Sequence, residues 1–238
     1  MVRNPEGTGQ GFLVLRAPQG ETIATGDLTQ TIRSGRIVAH LVFHFKDGSV
    51  DDEVTTFSQR AEFHLLSYHH VQKGPSFPEP MDLAIDVKTG QVTVRSVHDG
   101  KEKVETERRE LPPDLANGLL ILVLKNLPAT SGETKVPYLA ATPKPRVIKL
   151  AIKPEGEETF LAAGAPHKAT LYRVKVDLGG VTGVVAPIVG KQPKDTLVWI
   201  VGGKAPVFVR MEGQLYEGGP VWTIETTNAV LQKPHSER

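Results

Sequence analysis

Glycine-bearing turn pairs punctuate this chain at short intervals, and they constrain its fold more than any other feature. Gln19-Gly20, Ser34-Gly35, Asp47-Gly48, Lys73-Gly74, Thr89-Gly90 and Asp99-Gly100 separate runs rich in β-branched and aromatic residues. Turns at that spacing predict an antiparallel meander rather than βαβ units.

Two hairpins can be tested by which residues share a face. With Thr89-Gly90 as a two-residue loop, Lys88 faces Gln91, and Leu83, Ile85 and Val87 share a face with Val92 and Val94. With Asp47-Gly48 as the loop, Lys46 faces Ser49, and Ile37, Ala39, Leu41, Phe43 and Phe45 share a face with Val50 and Val54. His40, His44 and Lys46 then lie opposite, beside Asp51 and Glu53. One apolar and one wetter face is the usual state of an antiparallel sheet.

A helix interrupts the meander. Pro112-Pro113-Asp114 supplies a helix start, Pro128 a stop, and Leu119 to Leu124 is uninterrupted apolar sequence. The expected helix spans residues 113–127. Its apolar residues cover most of the circumference, so it should be buried against the apolar face of the sheet. Residues 129–145 are rich in Pro, Thr and Ala and form a connection. This divides the chain into an N-terminal meander plus helix (1–128) and a C-terminal meander (146–227), which either share one sheet or pack as two β-layers. In the second half Ile148, Leu150 and Ile152 alternate with Lys149 and Lys153, and Tyr172, Val174 and Val176 alternate with Arg173, Lys175 and Asp177. Strands are also expected over 181–189, 197–201, 207–211 and 221–227. Residues 1–10 and 228–238 are polar and are expected to be loose ends. The fold class is thus mostly β: a long curved antiparallel sheet, or half-barrel meander, with one buried helix.

Composition excludes some classes of function. The 238 residues include no Cys, which removes disulfides, thiolate metal sites and cysteine nucleophiles. A net charge of +1, with two isolated Trp, offers no basic and aromatic stripe for nucleic acid. No apolar run approaches the ~20 residues of a membrane-spanning helix. Residues 1–10 lack the apolar core of a signal peptide, so the chain is either cytoplasmic or lacks a leader that was removed.

The histidines are the chemically richest residues. In the hairpin register above, His44 faces Asp51 with Glu53 nearby, a donor set suited to a metal ion. His40 stands four residues from His44 on the same strand, roughly 13 Å away, too far for one ion to bridge. His64, His69 and His70 lie in one run, where adjacent His69 and His70 point to opposite faces. No Gly-x-Ser-x-Gly elbow is present, so a hydrolase or metal-binding protein would have to use these strand histidines. Leu178 to Gly183 matches neither the dinucleotide nor the P-loop pattern and reads as a hairpin turn, as does Gly190-Lys191-Gln192. Lys101 to Glu110 carries mixed charge and reads as a solvated strand. On the apolar side, a curved sheet around a greasy helix leaves room for a ligand. Phe43, Phe45, Leu120 and Val123 are the expected lining of such a pocket.

Taken in order, Pro113-Asp114 before the apolar segment, the strand pair Val198-Trp199 and the run Pro206-Val207-Phe208-Val209-Arg210 resemble a loosely defined group of uncharacterised bacterial envelope proteins. The resemblance covers most of the chain through short motifs. It implies a sheet related in shape to bacterial lipoprotein carriers, which hold acyl chains in a half-barrel. It implies a periplasmic or envelope location, with the cytoplasm as the alternative. It brings no catalytic residues and no cofactor. The expected function is non-enzymatic binding of a lipophilic small molecule or an envelope component. The alternatives are the hydrolase or metal-binding protein above and a structural or interaction module that pairs through its strand edges.

Overall fold

The computed structural model describes residues 1–98, 100–141, 145–162, 164–177, 193–227 and 229–231. The expected strand over 181–189, the turns at 178–183 and 190–192 and the tail beyond 231 lie outside the described residues, as does Asp99.

The strands are β1 (Gly9–Arg16), β2 (Thr22–Arg33), β3 (Arg36–Phe45), β4 (Val50–Gln59), β5 (Phe63–Lys73), β6 (Met81–Asp86), β7 (Gln91–His98), β8 (Lys101–Arg108), β9 (Thr134–Ala140), β10 (Arg146–Ala162), β11 (Ala165–Asp177), β12 (Thr196–Val201), β13 (Val207–Gly213), β14 (Trp222–Thr226) and β15 (Ala229–Leu231). One helix, α1 (Leu120–Asn126), lies between β8 and β9. All these strands join one antiparallel sheet in the order β15-β10-β11-β12-β13-β14-β1-β2-β3-β4-β5-β6-β7-β8, with β9 paired to the other half of the long β10. The protein is therefore mostly β, with one helix among the described residues against an open sheet.

The two halves of the sequence meet where β14 pairs with β1, Leu15 opposite Ile224. Charged side chains reinforce this seam. Arg16 Nε donates to Glu225 at 3.0 Å, and Arg210 Nη1 donates to the same carboxylate at 2.7 Å. At the far edge β8 carries the mixed charges of Lys101 to Arg108, mostly exposed, which blunts pairing with another chain.

The core forms three clusters on the inner face, while a fourth, of Phe160, Ala169, Trp199 and Val209, lies on the other face of the second half-sheet. Ile37, Phe57, Leu65, Leu83, Ile85 and Val92 make the first, with Leu115, Leu119 and Leu122 inserted into it. Leu150, Ile152, Tyr172, Val174, Val198 and Ile200 make the second, with Ala116 and Leu124 inserted. An aromatic third joins Phe43, Phe45, Phe77 and Trp222 with Leu13 and Leu15. The apolar residues of 115–124 thus serve the two half-sheets from opposite sides, which is why they occupy more than one face of the segment.

The helix is shorter than the expected 113–127. Its seven residues begin at Leu120, and Leu119 provides no side-chain cap. Two neighbours explain the late start. The Asn117 side chain is fully buried and pairs with the backbone of β9 in both directions, accepting from Leu139 N–H at 2.8 Å and donating to Leu139 O at 3.0 Å. Gly118 adopts a φ of +67°, and a Cβ there would stand 2.0 Å from Thr55 Oγ1. The lead-in is thus shaped by contacts with the sheet rather than by helical hydrogen bonds.

The N-terminal segment also departs from its expectation as a loose end. Asn126 Oδ1 accepts the N–H groups of Arg3 and Asn4, each at 2.7 Å. Glu6 pairs with Lys125, and its backbone exchanges two 2.7 Å hydrogen bonds with the Gln59 side chain. Tyr172 donates to Leu127 O at 2.6 Å from the other half-sheet. Polar residues here do pack, because they satisfy the exposed carbonyls and side chains at the end of α1.

Gly118→Ala should lower stability by about 2 kcal/mol, through strain at positive φ and the contact with Thr55. Urea unfolding of wild type and variant checks this, and an unchanged midpoint would contradict the close approach.

Candidate functional site

The β3–β4 hairpin decides which side chains enter the interior. Phe45 N–H donates to Ser49 O at 3.0 Å, and Gly48 N–H to Phe45 O at 3.1 Å, with Gly48 at a φ of +84°. The loop therefore has three residues, Lys46-Asp47-Gly48, rather than two. Phe43 pairs with Asp51, and His44 with Val50. A slip of one residue turns a whole strand over. Asp51, Glu53 and Thr55 enter the inner face beside Phe43, Leu41 and Ala39, while Val50 and Val54 leave it. This corrects the expected His44–Asp51 pair: Asp51 is buried inside and His44 is exposed on the other face. Among the described residues no group of three or more His, Asp or Glu is arranged to hold a metal ion.

The β6–β7 hairpin differs from its expected register by two residues, Asp86 opposite Gln91 and Ile85 opposite Val92. An even slip keeps every side chain on its face. Leu83, Ile85, Val92 and Val94 accordingly share the core.

The turned-over β4 builds a polar cluster on the inner wall. His70 Nε2 lies 2.6 Å from Asp51 Oδ1, and Gln72 Nε2 donates to Asp51 Oδ2 at 3.1 Å. Tyr68 donates to Glu53 Oε2 at 2.9 Å, and Tyr138 of β9 lies beside the same group. Thr55, under Gly118, closes one side. Burial, with the charge of Asp51, raises the Glu53 pKa more than His70 and its hydroxyl donors lower it. Burial alone would lower His70, but the Asp51 hydrogen bond and the charges of Asp51, Glu53 and Asp52 outweigh it and raise the imidazole above its ordinary 6.5. Burial, with the carboxylates of Glu53 and Asp51, also pushes the Tyr138 phenol well up.

This cluster belongs to a cross-strand row. Leu28 pairs with Leu41, Leu41 with Glu53, Glu53 with His70, and His70 with Leu83. The flanking members Phe43, Asp51 and Gln72 are buried on one side, and Thr55 and Tyr68 on the other. Leu28, Leu41, Glu53 and His70 themselves are only partly buried. Across the interior, Phe208 and Met211 touch both the aromatic cluster and the second-half cluster, and they too stay partly accessible. Leu28, Leu41, Glu53 and His70 thus form a partly accessible strip of adjacent inner positions, with Phe208 and Met211, which pack on the same aromatic cluster as Leu28 and Leu41, at its apolar end.

The expected lining residues fall in two places. Phe43 and Phe45 are buried in the aromatic cluster; Phe43 lies against Gly26, where a Cβ would meet its ring at 2.4 Å. Leu120 and Val123, partly buried, pack on the second-half cluster instead. Among the described residues the other candidate histidines do not converge. His40 pairs with Asp52 and His69 with Asp82, each at 2.9 Å on the outer face, and His64 Nδ1 lies 3.2 Å from Pro113 O. Beside His69 is a shallow depression of about 230 Å³, lined by residues that include Val54, Ser67, Ala84, Asp86 and Thr93. Among the described residues no helix is long and apolar enough to cross a membrane.

No protein-family model matches the chain, and no curated protein matches its sequence. Among solved structures it is similar to a β-barrel-like protein of a domain of unknown function, DUF1849, from Brucella abortus. The TM-score is 0.49 at 10% identity, covering 98% of this chain and 100% of that one.

The cluster makes stability depend on pH. His70 has a folded-state pKa raised above 6.5, so its contribution is fully present below 6.5 and is lost as pH rises through the raised value. Glu53, raised above 4.5, acts in the same direction from 4.5 upward. The melting temperature should therefore fall between about pH 6 and about pH 8, and His70→Gln should flatten that slope. Thermal unfolding across this range checks it; a melting temperature that rises with pH would contradict the assignment.

Proposed function

We propose that this protein is a non-enzymatic binder of a lipophilic ligand, held on the inner face of the curved sheet. The observation that carries the reading is the partly accessible strip of Leu28, Leu41, Phe208 and Met211 on the inner face, packed beside the buried Phe43, Leu13 and Leu15. Leaving apolar side chains accessible in a concave face forgoes about 25 cal/mol per Å², which a ligand would recover by covering them. The polar groups at one end of the strip orient such a ligand. An envelope or periplasmic setting goes with this reading, supported by the resemblance carried by Val198-Trp199 and Pro206 to Arg210.

Native mass spectrometry of protein purified without detergent, beside its denatured mass, tests the proposal. An added mass that extracts into organic solvent is the expected result. A neutral lipophilic fluorophore, N-phenyl-1-naphthylamine, should also bind, and Leu41→Trp, which fills the strip, should weaken it by about tenfold or more. Absence of both an extractable mass and fluorophore binding would overturn the reading.

A further inference from the structure

Glu53 stands at the polar end of the accessible strip without a cation of its own. The imidazole beside it is bonded to Asp51, 2.6 Å away, and Glu53 itself receives the Tyr68 hydroxyl at 2.9 Å. No lysine or arginine forms an ion pair with it among the described residues. Counting Asp51 and Glu53 as carboxylates and His70 as imidazolium leaves one uncompensated negative charge. The groups that face this point come from three strands: Asp51, Glu53 and Thr55 on β4, Tyr68, His70 and Gln72 on β5, and Tyr138 on β9. Adjacent inner positions on β3 and β6 hold Leu41 and Leu83, which carry no charge.

We propose that the ligand of this strip is an amphiphile with a cationic, hydrogen-bond-donating head, an amine or amidine, whose head pairs with Glu53 while its apolar chain lies along Leu41, Leu28 and Met211. The inference rests on the lipophile-binding reading and adds the chemistry of the head. Partial burial raises the cost of an unpaired carboxylate, and a buried charge is stable chiefly when paired. An ammonium head supplies the missing charge and donates to the Glu53 oxygens and the Tyr138 hydroxyl. A carboxylate head would add a third anion beside Asp51 and Glu53, where like charges repel.

Three probes of one chain length separate the possibilities: dodecylamine, dodecanol and dodecanoate, each below its micelle concentration, displacing N-phenyl-1-naphthylamine from the wild-type protein at neutral pH. Dodecylamine should displace the fluorophore at about tenfold lower concentration than dodecanoate, with dodecanol between them. In Glu53→Gln the amine advantage over dodecanol should vanish while dodecanol displacement stays unchanged, which also reports that the variant is folded. Should that variant not fold, the wild-type order alone decides. Dodecanoate matching or exceeding dodecylamine overturns the head assignment but leaves lipophile binding standing. An amine preference that survives in Glu53→Gln also overturns it. Failure of the fluorophore and all three probes to bind overturns both readings together.

Discussion

A segment whose apolar side chains point toward two half-sheets must be covered from both, and the rest of this structure follows from that need. Leu115, Leu119 and Leu122 insert into the cluster of the first half-sheet, while Ala116 and Leu124 insert into that of the second. Helices this short are marginal alone in water, so α1 persists because tertiary contacts hold it. Neither half-sheet can cover the segment alone. The β14–β1 pairing, with Arg16 and Arg210 sharing Glu225 across the seam, makes both half-sheets parts of one surface.

The polar contacts around α1 complete the same arrangement. The Asn117 side chain acts as a short piece of backbone against β9, and Gly118 lets the chain lie on Thr55. At the other end Asn126, Lys125 and Leu127 are met by Asn4 and Glu6, which precede β1, and by Tyr172 of β11. Each satisfies a group that would otherwise be buried without a partner, a defect worth about 1–3 kcal/mol.

The inner wall mixes polarity in a way an ordinary core avoids. Asp51 with His70 and Glu53 with Tyr68 form hydrogen-bonded pairs facing apolar neighbours, Tyr138 beside them, and the row through Glu53 and His70 is only partly buried while its flanks are covered. Buried networks of this kind carry large penalties when partly unmet, so proteins tend to keep them where they serve recognition or specificity. A strip with an apolar length and an acidic end has the polarity of an amphiphile's counterpart.

The turn pairs and strand alternation, read from the sequence alone, determined the antiparallel sheet, the lone apolar helix and the inward residues of β6, β7, β10 and β11, because alternation depends only on local spacing. The tertiary structure decided what alternation leaves open. Whether the Asp47-Gly48 turn has two loop residues or three is invisible in composition, yet that one residue moves Asp51 and Glu53 from the outer face to the inner. The same ambiguity did no harm at Asp86–Gln91, where the register moved by two and every face was kept. The late start of α1 depends on Thr55 and β9, and the ordering of Arg3 to Glu6 on Gln59, Lys125 and Asn126, all far away in the chain. Local spacing sets which way a side chain points once its register is known; long-range pairing sets the register.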